Sequence, residues 1–217
     1  MRPDSRLTLL LSVCALAACT RPAVDPGEPI PLEPAPPTVA ASTRNALRFK
    51  GPERLTADFA AALSLPEDQV CNELGQYSCT GFVHTVTLGG VAPYEVGLYE
   101  PLPATGVTTP IAVDRVALAA CSRRVALDLS KPASAVLFGA IVLDDKGRLV
   151  EREGAAVHNA LVALYQRGLQ RDPSLEEVAA LVKLSTDIEA TGSARPGRDW
   201  MTAACFVVLS SAESVFF

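Results

Sequence analysis

The sequence predicts a mainly α-helical protein: a single compact domain of about six helices over residues 44–217, with one long irregular loop. Two observations support this fold class. Apolar residues recur at helical spacing through most of the C-terminal part, and a proline or a capping residue stands where most of these patterns begin. The composition, 49% hydrophobic and 20% charged, suits a folded domain. With a net charge of −5 and no basic patch, nucleic acid is not an expected partner.

The first 18 residues have the layout of an export signal. Arg2 and Arg6 precede an apolar run from Leu7 to Ala15, and small residues come after it. This run is about nine residues long, whereas a bilayer core needs about 20. We therefore expect residues 1–18 to direct export and to be removed, together with Cys14.

The end of this signal, Leu16-Ala17-Ala18-Cys19, resembles the lipobox of bacterial lipoproteins at all four positions. The resemblance implies cleavage before Cys19 and attachment of acyl chains, such as palmitate, to its sulfur and its new amino group. Two or more chains anchor a protein stably, since each buried CH₂ contributes about 0.8 kcal/mol. Thr20 stands where the family's inner-membrane signal has Asp, which implies the outer membrane, on its periplasmic or its outer face. An ordinary signal peptide with a chance cysteine is the alternative.

Residues 19–43 are predicted to form a lipidated, proline-rich tether. Seven prolines fall within it: Pro22, Pro26, Pro29, Pro31, Pro34, Pro36 and Pro37. Such a density favours extended polyproline II, and at about 3.1 Å per residue the tether would reach roughly 70 Å. It is either a spacer toward a partner or the cell wall, or a linker without specific contacts.

Two helices are predicted at the start of the domain. Apolar residues at every fourth position indicate a helix over residues 54–63. A proline followed by two acidic residues indicates a second helix, which starts at Pro66, contains Cys71 and ends at Gly75.

Residues 79–109 are the least regular part of the chain. Alternation over residues 85–88 predicts a brief strand, and prolines and glycines interrupt the remainder of the segment. The segment also contains three aromatic residues, Phe82, Tyr94 and Tyr99. Because of these aromatic residues we expect the segment to pack on the body of the domain, and we expect any recognition surface to lie here, since loops of this length are usually functional or disordered.

A central apolar helix is predicted next. Thr109, as the capping residue, and Pro110 indicate its start, and the apolar run continues to Leu129. Residues 133–143 are compatible with either helix or strand, and residues 144–147 indicate a turn.

Three further helices complete the prediction. Apolar steps of four, three and four indicate a helix over residues 157–168. A capping box that begins at Ser174 indicates a helix that continues to Gly192. Asp199 is predicted to cap a final buried helix over residues 200–215.

Four cysteines remain besides Cys14 and Cys19: Cys71, Cys79, Cys121 and Cys205. Two disulfides are the default expectation in an exported chain. Of the three possible pairings we favour Cys71–Cys79, which closes a short loop, with Cys121–Cys205, which joins two apolar helices. Free buried thiols are the alternative.

The run Leu164-Tyr165-x-Arg167-x-Leu169-x-Arg171-x-Pro173-x-x-x-Glu177 resembles a recurring two-helix element of exported planctomycete and myxobacterial proteins. Residues 200–217 are similar to the end of such chains, which often carry haem-binding domains. A more complete likeness is to uncharacterised lipoproteins of myxobacteria, and it implies a helical envelope protein. The haem-bearing relatives imply an alternative role as accessory subunit of an electron-transfer complex. Covalent haem attachment is not expected, because Cys-x-x-Cys-His does not occur.

The sequence offers few groups for catalysis or metal binding. The spacing of Cys71, Cys79 and His84 matches no standard zinc site, and oxidation would remove the thiolates. We expect His84 to be a polar loop residue and His158 to lie on the surface. With neither a Gly-x-Ser-x-Gly motif nor a phosphate loop, we predict no catalytic, cofactor or metal site. The predicted role is non-enzymatic: structural or protein-binding in an envelope assembly. A hydrolase with its site near residues 79–109 is the alternative.

Overall fold

The computed structural model describes residues 47–100 and 106–216. The predicted signal peptide, Cys19, the tether and the predicted domain start at residue 44 lie outside these residues. The described part is mainly helical, which confirms the predicted fold class.

The helices and strands follow one another in a simple order. The α-helices are α1 (Gly51–Leu63), α2 (Pro93–Val96), α3 (Thr109–Ser130), α4 (Ala155–Gly168), α5 (Leu175–Ala190), α6 (Pro196–Leu209) and α7 (Ala212–Val215). Two 3-10 helices (Glu67–Gln69 and Pro132–Ser134) and one π-helix (Cys79–Val83) join them. Strands β1 (Asn72–Glu73) and β2 (Tyr77–Ser78) form an antiparallel hairpin in which Glu73 lies opposite Tyr77.

The core lies between α3 and α6, with α1, α4 and α5 packed around them. Its largest buried side chains include Phe59, Leu63, Phe138, Leu161, Leu164, Trp200 and Met201. The Trp200 indole N–H donates to the Leu181 carbonyl oxygen at 2.7 Å, which ties α6 to α5. The Cys121–Cys205 disulfide joins α3 to α6 inside this core, so the favoured pairing of these two cysteines is confirmed.

The capping box that the sequence predicts at the start of α5 is present. The Ser174 hydroxyl accepts the Glu177 backbone N–H, and the Glu177 carboxylate accepts the Ser174 N–H at 2.7 Å. This is a complete capping box, which satisfies two backbone donors that the first turn of a helix leaves free. The helices predicted over residues 54–63 and 157–168 are also present, as α1 and α4.

The second predicted helix, from Pro66 to Gly75, is wrong. The helical segment there is one 3-10 turn, Glu67–Gln69, and Cys71 lies beyond it. The Cys71–Cys79 disulfide draws the two ends of the segment together, and the chain between them turns back as the β1–β2 hairpin. A helix would carry these two cysteines apart, since each residue advances the axis by about 1.5 Å.

The strand predicted over residues 85–88 is also wrong. The Leu88 N–H donates to the His84 carbonyl oxygen, and the Gly90 N–H donates to that of Thr85. These bonds close successive tight turns within the segment instead of joining a neighbouring strand. Burial of Leu88 accounts for the apolar signal at this position.

Two predicted helix starts are displaced. α3 begins at Thr109 itself, whose hydroxyl donates to the Thr87 carbonyl oxygen at 2.8 Å and so fastens the preceding loop to the helix. α6 begins at Pro196, which places Asp199 inside the first turn instead of at the cap. The last helix predicted over residues 200–215 is divided, because Ser211 caps the separate helix α7 by accepting the Ser214 N–H.

A buried ion pair that no sequence motif predicted, Arg124–Asp128, joins three parts of the fold. The two side chains lie one turn apart on α3, with 2.7 Å between Arg124 Nη2 and Asp128 Oδ1. The Asp128 carboxylate also accepts the backbone N–H groups of Val136, Leu137 and Phe138 at 2.9–3.0 Å. Arg124 donates to the Leu63 carbonyl oxygen at the end of α1. After the 3-10 helix Pro132–Ser134, the remainder of the ambiguous segment 133–143 forms neither a helix nor a strand, and for residues 136–138 Asp128 supplies the acceptors that a helix or a sheet would have provided.

The residues that suggested the two-helix element form a structural joint. The Arg171 guanidinium pairs with Glu177 at 2.7 Å and with Glu213 at 2.8 Å, and it lies over the Tyr165 ring at 5.2 Å. Arg167 donates to the backbone carbonyls of Ala61 and Ala62 in the last turn of α1, where the Ala61 carbonyl also accepts the Ser64 N–H. This motif thus connects α1, α4, α5 and α7.

We predict that Asp128→Ala lowers the free energy of unfolding by about 3–5 kcal/mol, because it leaves Arg124 buried without a counter-charge and three backbone donors without an acceptor. The exposed pair Lys183–Asp187 has the same spacing on α5, so Asp187→Ala is a matched control that should cost less than about 1 kcal/mol. Urea unfolding of both variants measures the difference. Equal losses would show that burial adds nothing to the Arg124–Asp128 pair.

We predict that Glu177 stabilises the fold above pH 4.5 and that this contribution is lost as the pH falls toward 2. Hydrogen bonds from the Arg171 side chain and then from the Ser174 backbone lower the pKa of Glu177 from 4.5 to about 2. A lowered folded-state pKa stabilises the protein wherever the unfolded carboxyl is already ionised. Glu177→Gln keeps a capping-box residue but removes the charge. The difference in unfolding free energy between wild type and Glu177→Gln should be constant above about pH 5 and shrink as the pH falls from 4.5 to about 2. A difference that does not depend on pH would contradict the prediction.

Candidate functional site

The surface most suited to recognition is formed around the β1–β2 hairpin. Residues 74–94 contain no aspartate, glutamate, lysine or arginine. Several large apolar side chains in this run are exposed: Leu74, Tyr77, Phe82, Val83, Val91 and Tyr94. Exposed apolar groups concentrated in one uncharged segment are typical of interaction sites, whereas scattered ones are ordinary. We call the part formed by Leu74, Tyr77, Phe82 and Val83 the hairpin surface.

The tip of the hairpin has an unusual backbone conformation. Leu74 and Gly75 have φ angles of +53° and +76°, and the Gln76 N–H donates to the Glu73 carbonyl oxygen at 3.1 Å. Two successive positive φ angles are typical of a type I′ turn, for which Asn-Gly is the preferred sequence. A leucine in this conformation costs about 1–2 kcal/mol. Its side chain is 88% exposed, so it gains almost no packing energy within the chain.

The hairpin is held firmly against the body. The Cys71–Cys79 disulfide closes its base, which confirms the second favoured pairing, and the Cys79 N–H donates to the Cys71 carbonyl oxygen. The Glu73 carboxylate lies 2.7 Å from the Arg115 guanidinium of α3. The Thr56 hydroxyl of α1 donates to the Thr80 hydroxyl at 2.6 Å. These contacts fix the direction in which the tip points, which lowers the entropy lost when it binds.

The hairpin surface has an apolar centre and an uncharged polar margin. The Tyr77 and Phe82 rings stack with their centroids 5.6 Å apart. Exposed amide and hydroxyl side chains flank Leu74 on the hairpin, at Asn72, Gln76 and Ser78. Protein interfaces have this anatomy, in which apolar and aromatic groups at the centre are depleted of charge and surrounded by hydrogen-bonding groups.

The described part of segment 79–109 packs on the body of the domain, as expected, but its aromatic residues do not make that contact with the core. Tyr94 is fully exposed, Tyr99 is 76% exposed and Phe82 is 52% exposed. The buried positions of this segment are occupied instead by Cys79 and Leu88. Cys79 and Leu88 therefore make the apolar contact of this segment with the core, and the three rings remain exposed.

The two histidines lie in different surroundings. His84 follows the π-helix and is partly buried; its Nε2 lies 3.5 Å from the Glu73 carboxylate and has no hydrogen-bond partner. His158 is exposed on α4, as the sequence led us to expect. Within residues 47–100 and 106–216, no serine or threonine hydroxyl donates to either imidazole. The geometry there therefore does not pair a nucleophile with a base.

The described segments lack the geometry of a metal site. They contain no group of three or more histidine, cysteine, aspartate or glutamate side chains placed to hold a metal ion. Cys71, Cys79, Cys121 and Cys205 are all oxidised and so lack the thiolate that binds metals. Cys19, the predicted lipidation site, lies outside the described residues.

A groove near the Arg171 joint is lined by both polar and apolar groups, and its cations are paired within the chain. It has a volume of about 620 Å³ and lies between α1 and the end of α4. Lys50 and Arg54 both pair with Asp58 at 2.8 Å, and Arg167 is engaged with the end of α1. The cations of this groove are thus already engaged by acceptors of the chain itself.

Comparison of the chain with protein-family models, with curated proteins and with solved structures gives no match in any of the three. In the part of the chain that the structure describes, none of the helices combines the length and the apolar character needed to span a bilayer.

We predict that Leu74→Asn stabilises the domain by about 0.5–1 kcal/mol, because asparagine tolerates positive φ and favours the type I′ turn. This corresponds to a rise in Tm of about 2 °C for a domain of this size. Leu175 is equally exposed, at 87%, in the first turn of α5, so Leu175→Asn is a matched control that should give no rise. Calorimetry on the three proteins compares them. A lower Tm for Leu74→Asn would mean that Leu74 serves the fold.

Proposed function

We propose that this protein is a non-enzymatic lipoprotein of the bacterial envelope, anchored in the outer membrane through acyl chains on Cys19. Its domain acts by binding a protein partner through the hairpin surface, as a structural or binding component of an envelope assembly. The observation that supports this most strongly is the rigid, uncharged and exposed apolar surface formed by Leu74, Tyr77, Phe82 and Val83.

The engagement of the charged side chains also supports a binding role. Catalytic acids and bases need a free group beside a reacting centre. In the described residues, Asp128 is bound by Arg124 and three backbone donors, while Glu177 and Glu213 are both bound by Arg171. These carboxylates serve the fold, and the hairpin surface offers apolar contact area instead of reactive groups.

The predicted anchor complements such a surface. An acyl anchor confines the domain to a thin layer beside the membrane, which raises the effective concentration of any partner in the same layer. A proline-rich tether of roughly 70 Å would allow the hairpin to reach that partner without drawing the domain into the headgroups. A modest interaction energy at the hairpin is then sufficient for assembly.

We predict that Cys19→Ser abolishes incorporation of a labelled fatty acid and releases the protein from the membrane fraction, because the acylated sulfur is lost. Cys14→Ser, in the apolar part of the signal, is the matched control and should be labelled and retained like wild type. Metabolic labelling followed by fractionation measures both properties. Equal labelling of Cys19→Ser and wild type would refute the anchor.

A further inference from the structure

We infer that Leu74 is the anchor residue of the hairpin surface, and that it inserts into an apolar pocket on another protein whose rim is uncharged and hydrogen-bonding. This inference rests on the proposed function, since it names the contact by which the surface binds. The fold itself gives no reason for an exposed leucine at this position, and the proposed contact supplies one.

Leu74 occupies a left-handed position at φ +53° that favours asparagine or glycine, and its exposed side chain makes no compensating contact in the core. Strained positions of this kind are characteristic of binding and active sites, where the conformation serves recognition. Here the strain directs an aliphatic side chain outward from the tip of a hairpin that a disulfide closes.

The distribution of charged residues around Leu74 indicates the chemistry of the partner. Glu73, the charged residue next to the tip, is paired with Arg115, and no charged residue follows until Glu95. A charged group on the partner would lose its hydration against this surface without gaining a counter-charge. The pocket that fits Leu74 is therefore apolar and bordered by uncharged donors and acceptors for Asn72, Gln76 and Ser78.

The polar side chains beside Leu74 favour a protein over a lipid surface as the partner. Leu74 is the only aliphatic residue among residues 72–78, and exposed polar side chains lie on both sides of it along the hairpin. Asn72 Nδ2 donates to the Asp68 carbonyl oxygen and Ser78 Oγ accepts the Gly81 N–H, which leaves the Asn72 Oδ1, the Ser78 O–H and the Gln76 amide for a partner. Acyl chains cannot satisfy these groups, whereas the rim of a protein pocket can. Insertion into a bilayer would be favourable for the leucine side chain and unfavourable for its polar neighbours.

The test uses the full-length chain in the membranes of its own host, with a photo-crosslinking amino acid in place of Gln76 and, in two further variants, in place of Asn72 or Ser78. We expect one adduct of defined mass with another protein. Leu74→Asn should reduce its yield at least about 10-fold, the affinity expected to be lost when a buried leucine side chain is removed. Leu175→Asn, which removes equal exposed area on α5, should leave the yield unchanged. The Tm of Leu74→Asn shows that a loss of adduct is not a loss of folding.

Any other result of the crosslinking experiment contradicts one part of the proposal. An adduct that persists in Leu74→Asn would show that the surface binds a protein without Leu74 as its anchor, and the proposed function would stand. An adduct of twice the chain mass would identify a second copy instead of another protein. Adducts with lipid alone, together with Leu74-dependent binding of the purified chain to phosphatidylethanolamine vesicles, would replace the protein partner with a membrane. Absence of any protein adduct from positions 72, 76 and 78 would remove both the inference and the proposed function.

Discussion

The fold depends on the buried ion pair between Arg124 and Asp128. Asp128 supplies acceptors to the segment after α3, and Arg124 supplies donors to the end of α1, so one pair fixes two connections that have no regular structure of their own. Such a pair is costly to break from one side, because the remaining charge stays buried. Together with the Cys121–Cys205 disulfide, it fixes α3 at the centre of the domain. α3 in turn presents Arg115 to Glu73, and so the central helix also sets the position of the hairpin.

The features predicted correctly from the sequence are those whose causes are local or covalent. The capping box at Ser174 works through residues three positions apart, and the apolar spacing of α1 and α4 reflects burial of one face. The prediction of a helix from Pro66 is wrong because the Cys71–Cys79 disulfide overrides the capping signal at its start. The prediction of a strand over residues 85–88 is wrong because the burial of Leu88 produces the same apolar signal as a strand with alternating residues. The role of Asp128 was not predictable, since its backbone partners are set by the path of the chain after α3.

The candidate site was located only approximately by the sequence. The sequence predicts that any recognition surface lies within residues 79–109, whereas the hairpin surface lies at residues 74–83, partly before that segment. Phe82 is half-exposed and stacks on Tyr77 while Cys79 and Leu88 are buried, an arrangement that spacing alone does not reveal. The left-handed conformation of Leu74 has a weak sequence signal, because glycine follows it, but a leucine is not expected in such a turn. Conversely, the motif around Arg171, which suggested a family likeness, connects helices within this fold.

The central claim is that a rigid core presents an uncharged apolar hairpin to a protein in the same membrane layer. Hydroxyl-radical footprinting of the full-length chain in native membranes tests it most directly, with Leu175 as the internal reference. The account predicts slower oxidation of Leu74, Tyr77 and Phe82 in native membranes than in the purified chain reconstituted into lipid vesicles, with Leu175 oxidised equally in both. Equal oxidation of Leu74 and Leu175 in native membranes would show that nothing covers the hairpin, and would contradict the account.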